Sequence, residues 1–141
     1  MSFHPAVTAR YSALGARFAY VTKGATGKAG ERVRFSISGE FARQMSWNDG
    51  EYVRLDLDME AGLGRLVTVQ RPGTAVRRIT LRTPKSGRML YEFPRTGEVV
   101  TAFPVVRDMS ELDVVEVKAS DGLVFALPIQ AMPASDEGGA S

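Results

Sequence analysis

The chain has 141 residues, of which 44% are hydrophobic and 24% charged, with 14 Gly, one Trp, one His and no Cys. That length and balance specify one domain that can bury a core without a metal or disulfide staple. The lack of cysteine excludes disulfides, thiolate nucleophiles and cysteine zinc sites, and the only histidine, His4, stands beside the N-terminus, a poor place for the base of a Ser-His-Asp triad.

The net charge of +2 hides an asymmetry. Residues 1–91 hold 15 of the 18 Lys and Arg and 7 of the 16 acids, whereas residues 92–141 hold 3 basic and 9 acidic side chains. A basic first two thirds fits phosphate tracking, and equally a solvated surface or one that meets the acidic remainder. MSFHPAVTAR lacks the apolar core of a signal peptide, and no apolar run reaches membrane-spanning length, so a cytoplasmic protein with no membrane partner is expected.

In chain order, residues 1–17 read as an irregular segment, with Tyr11, Leu14 and Phe18 at helical spacing but Gly15 between them. A single β-rich domain is expected over 18–129. Phe18 to Val21 is a short apolar run that enters TKGATGKAGE, a basic Gly-rich loop or hairpin tip carrying Lys23 and Lys28. It is not a nucleotide phosphate loop. Thr22 stands where the leading Gly of GxxxxGK belongs, and Ala29 replaces the Ser or Thr that holds magnesium.

Arg32 to Ser38 alternates, with Val33, Phe35 and Ile37 on one face and Arg32 and Arg34 on the other. Ser38 is placed to N-cap a short helix at about 39–47, with Phe41, Ala42 and Met45 as its apolar face and Arg43 elsewhere. Trp47 reads as a core plug at the helix end rather than a base-stacking platform. Gly50 is expected to take the left-handed conformation that ends the helix. Tyr52 to Met59 and Arg65 to Gln70 then form a hairpin. Asp56 and Asp58 lie on the open face of its first arm, and with no third ligand near them they read as solvated carboxylates.

Further strands are predicted at Arg77 to Arg82, Arg88 to Phe93 and Val99 to Val106. The first carries Arg77, Arg78 and Arg82, on either a backbone-binding face or a charge-guarded edge. Asp108 to Asp113 reads as an acidic connection of about one helical turn. Val114 to Lys118 and Leu123 to Ile129 read as a last hairpin, and residues 130–141 as a disordered tail. Gly30-Glu31-Arg32-Val33 echoes Gly97-Glu98-Val99-Val100, each opening a predicted strand, which raises a degenerate repeat over 30–70 and 97–129.

With Arg32 to Gln70 laid out, the run of strand, short helix, Gly-acidic turn and hairpin resembles the AbrB/MazE-like swapped-hairpin proteins. The matching positions are the strand Val33 to Ile37, the helix with Phe41, Ala42 and Met45, the turn Gly50-Glu51, the strand Val53 to Leu57 and the return Gly64 to Val69. Ser38 stands where that family usually has proline, and Glu51 where it usually has Asp. The resemblance implies a mainly β, barrel-like fold with exchanged strands, assembled as a homodimer or as a pseudo-dimer within one chain. It also implies DNA binding in a transcription regulator or antitoxin, through Arg32, Arg34 and Arg43. The expectation is therefore a non-enzymatic DNA-binding protein without cofactor or metal, using Lys23, Lys28, Arg32, Arg34, Arg43, Arg77, Arg78 and Arg82. The alternative is a structural or protein-binding module of a phage or mobile element, with the acidic last third and the hairpin edges as its contact surface.

Overall fold

The computed structural model describes residues 17–24 and 30–128. The expectations for Lys28, for most of the N-terminal segment and for the tail therefore lie outside the described residues.

The fold is mainly β, with two antiparallel five-stranded sheets and two short helices among the described residues. The strands are β1 (Phe18–Lys23), β2 (Arg32–Ile37), β3 (Tyr52–Asp58), β4 (Leu63–Thr68), β5 (Val76–Arg78), β6 (Thr80–Thr83), β7 (Arg88–Pro94), β8 (Ser110–Glu111), β9 (Val114–Lys118) and β10 (Gly122–Ala126). Helix α1 (Gly39–Gln44) follows β2 and helix α2 (Glu98–Ala102) follows β7. Sheet I has the order β6-β7-β2-β1-β8 and sheet II the order β5-β3-β4-β10-β9. The contiguous block from Arg32 to Gln70 is thus divided, with β2 at the centre of sheet I and β3 and β4 in sheet II.

Period-two alternation explains why the inner faces meet. Val33, Phe35 and Ile37 from β2, Met89 and Tyr91 from β7, Val53 and Leu55 from β3, Leu66 from β4, and Leu123 and Phe125 from β10 are all buried. An aromatic cluster spans the two layers. Phe35 stacks on Phe18 at 5.5 Å and meets Phe103 edge-on at 5.3 Å, while Phe18 lies 4.9 Å from Phe125. Pairs of this kind each add about 0.5–1.5 kcal/mol beyond the area they bury.

The sheet edges are joined by the chain at two corners. Ile79 alone separates β5 in sheet II from β6 in sheet I, and Leu112 and Asp113 separate β8 in sheet I from β9 in sheet II. The corner peptides are satisfied: Ile79 exchanges hydrogen bonds with Gly50 and Glu51, and Leu112 N–H donates to the Phe18 carbonyl. Because a corner residue can turn its side chain inward without an open amide, Ile79 is fully buried.

Several sequence expectations change here. Arg77 to Arg82 is not one strand, because burial of Ile79 bends it into β5 and β6. Val99 to Val106 is not a strand: Val99 and Ala102 pack inward from α2 instead, with Phe103 as its C-cap. Gly97-Glu98 therefore opens a helix, unlike Gly30-Glu31. Asp108 to Asp113 contains no helical turn, since Ser110 and Glu111 pair with β1. Helix α1 ends at Gln44 and the chain leaves it through Ser46 at positive φ (58°), while Gly50 takes the expected left-handed conformation (φ 89°) in the turn before β3. Ser38 occupies the N-cap, but its hydroxyl accepts from the Arg17 amide at 2.9 Å instead of capping α1. Trp47 is the expected plug, its indole N–H donating to Thr68 Oγ1 at 2.7 Å.

Candidate nucleic-acid interface

Strand register decides which cations meet. β1 pairs with β2 so that Lys23 lies opposite Arg32 and Val21 opposite Arg34, and β2 pairs with β7 so that Arg34 lies opposite Glu92 and Ser36 opposite Leu90. The same alternation that buries Val33, Phe35 and Ile37 turns Arg32 and Arg34 to the outer face of sheet I. Arg88 joins them there, its Nε donating to Ser36 Oγ at 3.2 Å. Lys23 directly opposite Arg32 is a like-charge pairing that costs stability unless counter-charge is near.

Glu92 supplies part of that counter-charge. Its carboxylate bonds the Arg34 guanidinium directly and lies 3.6 Å from Arg32. These groups are 30–41% exposed, so each pair contributes at most about 1 kcal/mol and loosens with salt. Arg32 Nε is buried without a hydrogen-bond partner, and Lys23 has no ion pair among the described residues. The outer face of sheet I therefore carries Lys23, Arg32, Arg34 and Arg88 against Glu92, with Glu111 at its edge tied to Arg17 at 3.6 Å.

The other predicted cations divide. Arg43 is exposed on α1 and bonds Glu40. It stands against the β6–β7 turn, where a Cβ on Gly87 would lie 3.6 Å from Arg43 Nη1, and so it reaches the end of the same sheet at which Lys85 and Arg88 emerge. The close approach rests on Gly39, whose Cβ would collide with the Ser86 carbonyl. Arg77 and Arg78 sit at the β5–β6 corner. Arg77 lies 5.0 Å from the Phe93 ring centroid and donates to the Val76 carbonyl at 2.7 Å, while Arg78 lies 4.9 Å from the Tyr52 ring and donates to its hydroxyl at 3.0 Å. Together with Thr80, Leu90 and Glu92 they line a cleft of about 330 Å³ that opens beside the outer face of sheet I. Arg82 is exposed where the register of β6 shifts.

Sequence reasoning placed Arg88 in the basic run after Arg77 but not in the site, and missed Glu92. The signal was present, because Arg88, Leu90 and Glu92 alternate with Met89, Tyr91 and Phe93. What the sequence could not show was the partner strand that sets Glu92 against Arg34.

The outer face of sheet II is balanced instead. Asp56 accepts from Arg54 at 2.7 and 3.1 Å and from Arg65 at 2.7 and 3.1 Å. Partial burial pushes its pKa up, but the hydrogen bonds and charges of the two arginines outweigh this and hold it below the usual carboxylate range. Asp58 accepts from the Ala61 amide at 3.0 Å and turns the hairpin. Asp56 is thus an ionised pairing group, with none of the raised pKa of a general acid, although both carboxylates border a cleft of about 390 Å³. Among the described residues no group of three His, Asp or Glu side chains could hold a metal ion, and no helix is long and apolar enough to cross a membrane.

No family model, curated protein or solved structure matches this chain.

Proposed function

We propose that the chain is a non-enzymatic, regulatory DNA-binding protein with a barrel-like, swapped-hairpin-type architecture, working in the cytoplasm and gripping the phosphate backbone with the outer face of sheet I. The observation that carries this reading is the segregation of charge between the sheets. Lys23, Arg32, Arg34 and Arg88 gather on one outer face against Glu92, while on the other Asp56 and Glu116 hold Arg54, Arg65 and Lys118 in ion pairs and Arg78 bonds the Tyr52 hydroxyl. A strand face with arginines at two-residue spacing suits backbone contacts, which position a protein without reading sequence. The architecture part rests on the resemblance over residues 32–70 and on the two chain-joined corners, which bring the sheets round the core as a barrel would.

The test is a salt-titrated binding assay with duplex DNA. Neutralising several phosphates should give a slope of log K against log salt of roughly −3 to −5, from about −0.9 per neutralised phosphate. Absence of binding at about 50 mM salt, or binding indifferent to salt, removes the reading.

A second reading, a protein-binding module of a phage or mobile element, is favoured by exposed apolar side chains in the acidic last third: Val100, Val105 and Met109 are 42–55% exposed within one connection. Purified protein that keeps a protein partner and sheds all nucleic acid after nuclease treatment would turn the choice to it.

A further inference from the structure

The strand order has a symmetry that the sequence only hinted at. The elements fall into two series, β1-β2-α1-β3-β4 and then β5/β6-β7-α2-β8/β9-β10, counting each corner pair as one bent strand. Their starts correspond as Phe18 with Val76, Arg32 with Arg88, Gly39 with Glu98, Tyr52 with Ser110 and Leu63 with Gly122, a displacement of roughly 58 positions throughout.

Exchanging the two series preserves every strand pairing. The β1–β2 hairpin maps on β6–β7, the β1–β8 pair on β5–β3 and the β3–β4 hairpin on β9–β10, while β2–β7 and β4–β10 map on themselves. Such a mapping is that of a twofold axis through the centres of both sheets. The backbone agrees in detail, since Gly30 (φ 73°) precedes β2 as Gly87 (φ 79°) precedes β7. The true counterpart of Gly30 is therefore Gly87, not Gly97.

Side chains at the axis have become different. The β2–β7 register sets Arg34 against Glu92, a cation and a carboxylate contributed by one unit each. β2 carries no carboxylate, so two copies of the first series would leave Arg34 without this partner. In sheet II Gly64 faces Phe125 while Leu66 faces Leu123. A Cβ on Gly64 would come within 2.5 Å of the Phe125 ring, so the glycine exists to receive it. Like paired with like would lose that fit.

We propose that residues 18–68 and 76–126 are two copies of one ββαββ unit, differentiated so that they pair only with each other, and that one chain is a complete, pseudo-twofold grip for a single duplex. This rests on the DNA reading for its ligand but not for its architecture. The axis passes beside Arg34. Lys23 and Arg32 lie towards one end of the β2–β7 track, and Lys85 and Arg88, carried by the second unit, towards the other. Both ends of a two-ended contact with the backbone come from one molecule, with no second copy to recruit.

Two measurements test this on the full chain. The first combines solution mass, free and bound, with salt-titrated affinity for duplex DNA of the wild type, Lys23→Ala/Arg32→Ala and Lys85→Ala/Arg88→Ala. One chain per duplex is expected, with each double variant losing about tenfold or more in affinity and roughly 2 from the salt slope. Absence of wild-type binding at low salt overturns the grip together with the DNA reading. Binding by two chains, or loss confined to one end, overturns the grip and leaves DNA binding standing. The second is independent of nucleic acid: a circular permutant that opens the chain between Arg71 and Pro72 and joins Ser141 to Met1, so exchanging the order of the units. It should remain monomeric and unfold in one transition within a few degrees of the wild type. A native chain that is dimeric in solution, or a permutant without cooperative unfolding, overturns the two-unit architecture.

Discussion

Replacing Gly64 with Ala adds a single methyl beneath the ring of Phe125, which faces it from the neighbouring strand of sheet II. The new Cβ would stand 2.5 Å from Phe125 Cζ and 2.8 Å from Cε2. Phe125 cannot simply turn aside. It is fully buried, and its ring lies 4.9 Å from Phe18, 5.8 Å from Phe35 and 6.2 Å from Phe103. Overpacking of such a site costs about 1–3 kcal/mol. Against it, Ala in place of Gly within a strand recovers about 0.5–1 kcal/mol, because the backbone of Gly64 needs no positive φ. The net expectation is a loss of about 1–2 kcal/mol, or roughly 5–10 °C in Tm for a domain near this size. Phe125→Leu alone should also destabilise, through the cavity it opens. In the double variant the methyl fills part of that cavity, so the two losses should fall short of additive by about 1 kcal/mol. Urea denaturation of the four proteins in the cycle measures this. Gly64→Ala within 0.5 kcal/mol of wild type, or strict additivity, would refute the argument that Gly64 is kept small for Phe125.

Tyr91→Phe removes a hydroxyl that donates to the Val53 carbonyl at 2.7 Å across the two layers, in a setting where burial holds the phenol neutral by raising its pKa. The expected loss is about 1–2 kcal/mol by chemical denaturation, with the far-ultraviolet circular dichroism unchanged since the ring stays packed. For Asp56 the folded pKa lies below the ordinary 3.8, so its stabilising effect is complete above that value and is lost as pH falls through and below it. Asp56→Asn should therefore lower stability at neutral pH, modestly because the site is partly solvated, and flatten the acid limb of a Tm-against-pH curve; an acid limb identical to that of wild type would show that the Arg54–Asp56–Arg65 network contributes nothing.

The mainly β class, the hairpins β3–β4 and β9–β10, the helix after β2 and the role of Trp47 were all legible in the chain. These features are written in local period and turn chemistry, which act over a few residues. The arginine face of β2 was legible for the same reason, because alternation alone turns Arg32 and Arg34 away from Val33, Phe35 and Ile37.

What lay beyond the sequence was every decision made between segments distant along the chain. Arg77 to Arg82 has the alternation of one strand, and only the gain from burying Ile79 between two sheets bends it into β5 and β6. Val99 to Val106 is apolar enough for a strand, yet the position is filled by a helix because Val99, Ala102 and Phe103 are needed against the aromatic cluster. Glu92 acquires meaning only when β7 is laid beside β2. The sequence by itself determined which faces are apolar and which are charged, since those follow from residue spacing. The tertiary structure decided which charged faces meet, which strands bend and which position is equivalent to which, because these depend on pairings whose free energy comes from contacts between residues tens of positions apart.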